Sequence, residues 1–170
     1  MAEKGLDNAN RYNCPRCRAR SRARVSTALV AAPEVLAVQL KRFVALNDLG
    51  DTEKDGALVD FPLDGLDLRP WMDGGGGAAG SGGVAGAEGD APPPVYDLFA
   101  VCQHRGPGLN AGHYTCLSRA PPTKAQPSPA WTLRDDERVV EAVAAGAPRA
   151  VAERSVVTAA AFLLFYRRRD

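Results

Sequence analysis

Both histidines of this chain fall in one short stretch, Cys102-Gln103-His104-Arg105-Gly106-Pro107-Gly108-Leu109-Asn110-Ala111-Gly112-His113. His113 stands between a glycine and a tyrosine, where a glycine-rich loop gives way to a strand. A rigid element then holds the imidazole while its approach stays open, which suits a general base. Gly112 removes a side chain beside it and lets another backbone come close. A histidine by itself is more often a packing or surface residue, so the reading needs a partner. Trp131-Thr132-Leu133-Arg134-Asp135-Asp136 supplies one if its strand pairs with that of His113. Asp135 then accepts the Nδ1 proton, fixes the tautomer and stabilises the imidazolium. Two adjacent acids before Glu137 also fit a solvated turn.

A His–Asp pair activates a nucleophile, usually Ser or Cys. The cysteines of this chain do not serve. Cys116 is three residues from His113, so strand alternation puts it on the other face. Cys102 sits among apolar neighbours, as a core thiol does. Cys14-Pro15-Arg16-Cys17 has the spacing of half a zinc site, two thiolates from one tight turn, and needs two more ligands. Two reduced thiols in a turn fit it equally. Arg16, Arg18, Arg20, Arg22 and Arg24 alternate, so a strand places all five on one face, as solvated edges do.

The elements that must position these residues are mostly antiparallel strands. Val35–Leu40 reads as a largely buried strand, and Tyr96–Cys102, His113–Leu117, Trp131–Leu133 and Ala161–Tyr166 as four more. Helix is scarce, with a turn or two over Glu141–Ala145. From Asp73 to Pro94 the chain holds nine of its 17 glycines and three consecutive prolines. That composition buries too little apolar surface to offset its ordering entropy, so it is expected to be a disordered insertion.

Composition narrows the function. Lys plus Arg total 21 against 20 Asp plus Glu, a net charge of +1 in 170 residues. A nucleic-acid or membrane-surface binder would carry a basic excess. No stretch approaches the roughly 20 apolar residues of a membrane span, and the N-terminus lacks an apolar signal core. Four cysteines, two of them in a Cys-x-x-Cys pair, suit a reducing compartment, cytoplasmic or nuclear.

The ordered motifs resemble the ubiquitin-specific protease family. They are Tyr12-x-Cys14-x-x-Cys17, Pro33-x-Val35-Leu36 leading to Leu40-Lys41-Arg42-Phe43, Phe61-Pro62-Leu63 with Leu66-Asp67-Leu68, and Tyr96–Val101 with His104 and Gly106. Gly112-His113-Tyr114, Trp131 with Asp135-Asp136, and Phe162–Arg167 complete the series. The resemblance implies an α+β, papain-like cysteine protease cutting after the C-terminal glycine of ubiquitin. This chain would be mainly its antiparallel palm with part of the fingers. Residues 1–72 would hold fingers and palm strands, 73–94 the insertion, and 95–170 the palm with the catalytic pair. His113 then matches the general base, Asp135 the third triad member and Asp136 a polar helper. The loop from His104 to Gly112 matches a family segment that lies over the ubiquitin tail, so the resemblance implies that His104, Gly106, Gly112 and Tyr114 bind substrate. Cys14 and Cys17 match the second pair of a zinc ribbon; catalysis itself needs no cofactor. The partners implied are ubiquitin and ubiquitinated proteins, without nucleic acid or membrane. The family's Cys box, thumb helices and first Cys-x-x-Cys have no counterpart here. Two other readings stay open: a non-catalytic ubiquitin-binding or scaffold relative, and a small zinc-ribbon interaction module.

Overall fold

The computed structural model describes residues 4–45, 47, 52–72, 94–108 and 111–169. The chain divides into two compact units, Met1–Ala32 with Leu68–Ala91, and Pro33–Asp67 with Pro92–Asp170. The segment expected to mix fingers and palm therefore parts at Ala32/Pro33. All but the last residue of the expected insertion, 73–93, lies outside the described residues.

In the first unit, β1 (Lys4–Leu6), β2 (Tyr12–Asn13), β3 (Arg20–Ser21) and β4 (Ala23–Val25) form two small ribbons, β1 on β4 and β2 on β3. The five alternating arginines do not share one strand. Arg18 has φ +53°, a left-handed turn conformation, and only Arg20 and Arg24 lie in strands. The hairpin must turn within the six residues between Asn13 and Arg20, and that breaks the alternation.

The second unit carries β5 (Val35–Gln39), β6 (Phe43–Ala45), β7 (Thr52–Lys54), β8 (Leu66–Asp67), β9 (Val95–Gly108), β10 (Ala111–Arg119), β11 (Trp131–Asp135), β12 (Arg138–Val143), α1 (Arg149–Val156) and β13 (Ala161–Arg168). Six of these strands run in the order β12-β11-β10-β9-β13-β5, with β8 also on β9; β6 and β7 pair separately. Every pairing is antiparallel. Among the described residues no helix is long and apolar enough to cross a membrane.

Alternation along the strands builds the core on one sheet face. Tyr96, Leu98, Val101, Leu117, Trp131, Leu164 and Tyr166 are buried, joined by Phe61 and Leu63. Each large side chain so buried stabilises by on the order of 2 kcal/mol. The aromatic hydroxyls still need acceptors. Tyr96 donates to the Pro33 carbonyl at 2.6 Å and Tyr166 to the Pro62 carbonyl at 3.0 Å. Both tie the Pro33–Asp67 segment to the C-terminal strands.

Two expectations are corrected. β5 is not largely buried: it is the sheet's edge, and its residues alternate between exposed and half-buried. Its apolar run alternates between half-buried and exposed positions, with β13 its one neighbour among the described residues. Glu141–Ala145 is not helical, since Glu141–Val143 completes β12. The helix lies at Arg149–Val156 instead, after Pro148, which is suited to a helix start. An Arg149–Glu153 ion pair at i, i+4 spans its exposed side, and Val156 is buried.

Candidate active site

The strands bearing His113 and Asp135 are neighbours. β10 pairs with β11 in the register Cys116↔Arg134, Leu117↔Leu133 and Ser118↔Thr132. His113, Thr115 and Leu117 share one face by alternation, as do Leu133 and Asp135. Past the buried Thr115 and Leu117, that face opens, and there His113 meets Asp135. A bulge helps to aim the imidazole: the β9–β10 register slips by one residue between Ala111 and His113. On the other side, Asp136 begins the two-residue turn into β12 with φ +51°, a conformation that aspartate tolerates better than most residues.

His113 Nε2 lies 2.5 Å from Asp135 Oδ1 and 3.9 Å from Asp136 Oδ2. The atom differs from expectation: Nε2, not Nδ1, faces the carboxylate. An Nε2–H donated to Asp135 leaves Nδ1 as the proton acceptor. Both side chains are accessible, His113 to 48% and Asp135 to 34%. The hydrogen bond to Asp135 holds the imidazole pKa above its ordinary 6.5; partial burial opposes this, the Asp136 and Asp135 charges add to it, and Arg105 on β9 opposes it. The pair therefore favours the imidazolium. His113, Asp135 and Asp136 also bring their ligand atoms within 4.8 Å of one another, the one cluster of three potential metal ligands among the described residues. No cysteine sulfur joins it.

The expected loop from His104 to Gly112 is a hairpin arm instead, because β9 runs to Gly108 and β10 starts at Ala111. His104, expected to touch substrate, is 1% exposed. Its ring packs 4.8 Å from Tyr114 and 5.4 Å from Phe43, centroid to centroid. Burial, helped by Lys54, pushes its pKa down, so it is held neutral. Gly112 lies against this ring: a Cβ there would fall 2.1 Å from His104 Nε2. Gly106 has φ +150°, and a Cβ on it would fall 2.5 Å from both the Ala111 carbonyl oxygen and Gly112 Cα. The two glycines are thus required by close approach of the hairpin's arms. Tyr114, about half exposed, is the member of the expected substrate-binding set that presents a side chain outward.

Sequence reasoning missed two cations behind the site. Lys54 donates to the carbonyls of His104 at 2.7 Å and Gly106 at 3.1 Å, pinning the arm of β9. Nothing in Thr52-Glu53-Lys54 advertises this. Arg42 is buried, its Nε 2.9 Å from the Ala161 carbonyl and its Nη1 on the Ala57 carbonyl. An arginine between apolar runs was the available signal, since such a residue is fully buried only when partnered.

The thiols lie elsewhere. Cys102 and Cys116 are half-buried and their pKa values are pushed up by burial, which suppresses the nucleophilic thiolate. Cys14 and Cys17 belong to the other unit. Cys14 closes a turn in which its amide donates to the Ala19 carbonyl and its carbonyl accepts from Arg18 N–H. Hydrogen bonds from the amides of Cys17 and Arg16 lower the Cys14 pKa, as they do for a thiolate prepared to bind metal. The turn fits half of a tetrahedral zinc site. Among the described residues no further ligand completes it.

An antiparallel sheet thus carries a hydrogen-bonded His–Asp pair where its face opens. The sequence profile of the ubiquitin carboxyl-terminal hydrolase family matches residues 5–166, and the chain belongs to that family. Ubiquitin carboxyl-terminal hydrolase 19 of Rattus norvegicus is 35% identical over 161 residues, 94% of this chain and 10% of that protein. Ubiquitin carboxyl-terminal hydrolase 21 of Bos taurus is 31% identical over 164 residues, 96% of this chain and 23% of that protein. A chain in a structure of the SAGA Ubp8/Sgf11/Sus1/Sgf73 DUB module superposes with a TM-score of 0.68 at 24% identity, covering 99% of this chain and 31% of that one. The α+β fold is thus that of the family's papain-like catalytic domain. The chain spans about a tenth to a quarter of the curated relatives it matches.

Proposed function

We propose that this chain forms the palm side of a cysteine-type deubiquitinase that hydrolyses the bond after the C-terminal glycine of ubiquitin. The observation that carries this is the 2.5 Å contact of His113 with Asp135, on a chain of this family. Asp135 orients the imidazole through Nε2, and Nδ1 takes the proton of a thiol supplied from outside these 170 residues. The thiolate attacks the glycyl carbonyl carbon. His113 Nδ1–H then protonates the leaving amine, and water hydrolyses the thioester with His113 again as base. Asp136 lends negative charge to the imidazolium. The β9–β10 arm beside His113, with the half-exposed Tyr114, receives the C-terminal tail of ubiquitin. By itself the chain is inactive.

Grafting tests this. The chain replaces the matched 164 residues of ubiquitin carboxyl-terminal hydrolase 21 of Bos taurus, and a fluorogenic ubiquitin C-terminal amide is the substrate. The chimera should turn over, and His113→Ala should lower kcat by on the order of a thousandfold. A folded, ubiquitin-binding chimera whose turnover ignores His113 refutes the assignment. Turnover by the isolated chain that vanishes with His113→Ala would instead overturn the claim that the nucleophile lies outside it.

A further inference from the structure

Cys102 and Cys116 have no part in the proposed chemistry, yet they are directly opposite each other on β9 and β10. They occupy one row across the sheet: Gln39 on β5, Leu163 on β13, Cys102, Cys116, then Arg134 on β11. Opposite residues of an antiparallel pair project from the same face with Cα atoms about 4.5 to 5.5 Å apart. That separation lies inside the range a disulfide spans, and Cβ atoms so placed point alongside each other. Both sulfurs are half-buried thiols. This is the face opposite the one on which Leu117 and Val101 build the core, and Arg134 borders the row on the β11 side.

We propose that Cys102 and Cys116 are a cross-strand dithiol, a modification site that low-molecular-weight disulfides such as oxidised glutathione convert to an intramolecular bridge. One protein thiolate attacks a glutathione sulfur, forming a mixed disulfide and expelling one glutathione thiolate, which takes up the proton the cysteine lost. The second protein thiolate then attacks the protein sulfur of that mixed disulfide and expels the other glutathione. The protein loses two hydrogens and two electrons, and glutathione disulfide gains them as two thiols. Cys116 is the first to attack, because the Arg134 guanidinium partly offsets the upward effect of burial there, whereas nothing comparable acts on Cys102. The bridge covalently pins β9 to β10, the two strands whose far ends carry Gly106, Gly112 and His113.

The test uses the whole chain as a C14S/C17S variant, so that the two palm thiols react alone. After incubation with oxidised glutathione, trypsin cuts at Arg105 between the two cysteines, and non-reducing mass spectrometry reads the products. The expected product is the Cys102 peptide joined to the Cys116 peptide in monomeric protein, exceeding mixed disulfides by about tenfold or more, as a high effective concentration dictates. C102S and C116S, introduced singly, should stop at the mixed disulfide. Glutathione retained on both cysteines of the C14S/C17S chain, or chain-to-chain dimers through them, overturns the proposal. If C14S/C17S does not fold, the same peptide map of the unmodified chain decides, because Arg16 separates Cys14 from Cys17 and every pairing has a distinct mass.

Discussion

The sharpest consequence of the palm geometry concerns Gly112→Ala. An added Cβ would stand 2.1 Å from His104 Nε2, 2.7 Å from its Cε1 and 2.8 Å from the Arg105 carbonyl oxygen. Ordinary carbon contacts need about 3.5 Å, so the ring must withdraw by over an ångström. It has little room to do so, being buried with Phe43 and Tyr114 against it. Backbone on the other side cannot yield without straining the β9–β10 ladder. The cost therefore falls near the upper end for overpacking, about 3 kcal/mol. With a urea slope of about 2 kcal/mol/M, the unfolding midpoint should drop by about 1.5 M. His104→Ala by itself leaves a cavity and costs about 3 kcal/mol. Combined, the two substitutions should cost less than their sum by about 1 to 2 kcal/mol, since the methyl enters space the ring vacates. Urea denaturation of the four proteins measures this. A Gly112→Ala chain within about 0.5 kcal/mol of the parent, or strict additivity in the pair, would refute the reasoning.

Further outcomes follow from the same contacts. Asp135→Asn should lower the His113 pKa, read by an NMR pH titration of the imidazole; an unchanged or higher value would contradict the assigned hydrogen bond. Because the folded pKa of His113 is raised, its contribution to stability is fully present below the unfolded value of about 6.5 and lost as pH rises through the folded value. Stability profiles of the parent and of His113→Gln should therefore converge on the alkaline side and diverge on the acid side. Arg119→Lys should destabilise by about 2 to 3 kcal/mol, because Arg119 is nearly buried, donates to the Leu98 and Leu63 carbonyls and Asp64, and stacks on Trp131. Indifference to that exchange in urea denaturation would show that the planar fork is not what matters there. The chain dialysed against a chelator should retain no stoichiometric zinc, since Cys14 and Cys17 are half a ligand set; one zinc per chain by elemental analysis would require ligands outside that turn.

The sequence by itself determined five of the strands and the residue types at the site, while the order of strands across the sheet came from the structure. Motifs such as Gly112-His113-Tyr114 and Trp131 with Asp135-Asp136 are local and periodicity read each as part of a strand, but that the two strands are neighbours was only a condition until the register showed it. It also marked Gly112 as a position where backbone could come close, whereas the same constraint at Gly106 came only with the structure. Local pattern failed where a residue's state depends on what lies across the sheet. β5 is apolar enough to be central, yet it is the edge because, among the described residues, only β13 pairs with it. His104 reads as a loop residue, yet Phe43 and Tyr114 bury it from other strands. Which imidazole nitrogen meets Asp135, that Lys54 secures the β9 arm, and that Cys102 stands opposite Cys116 depend on register and on one bulge. A one-residue slip in pairing changes every one of these contacts while altering nothing in the sequence pattern of either strand, and so only tertiary structure decides them.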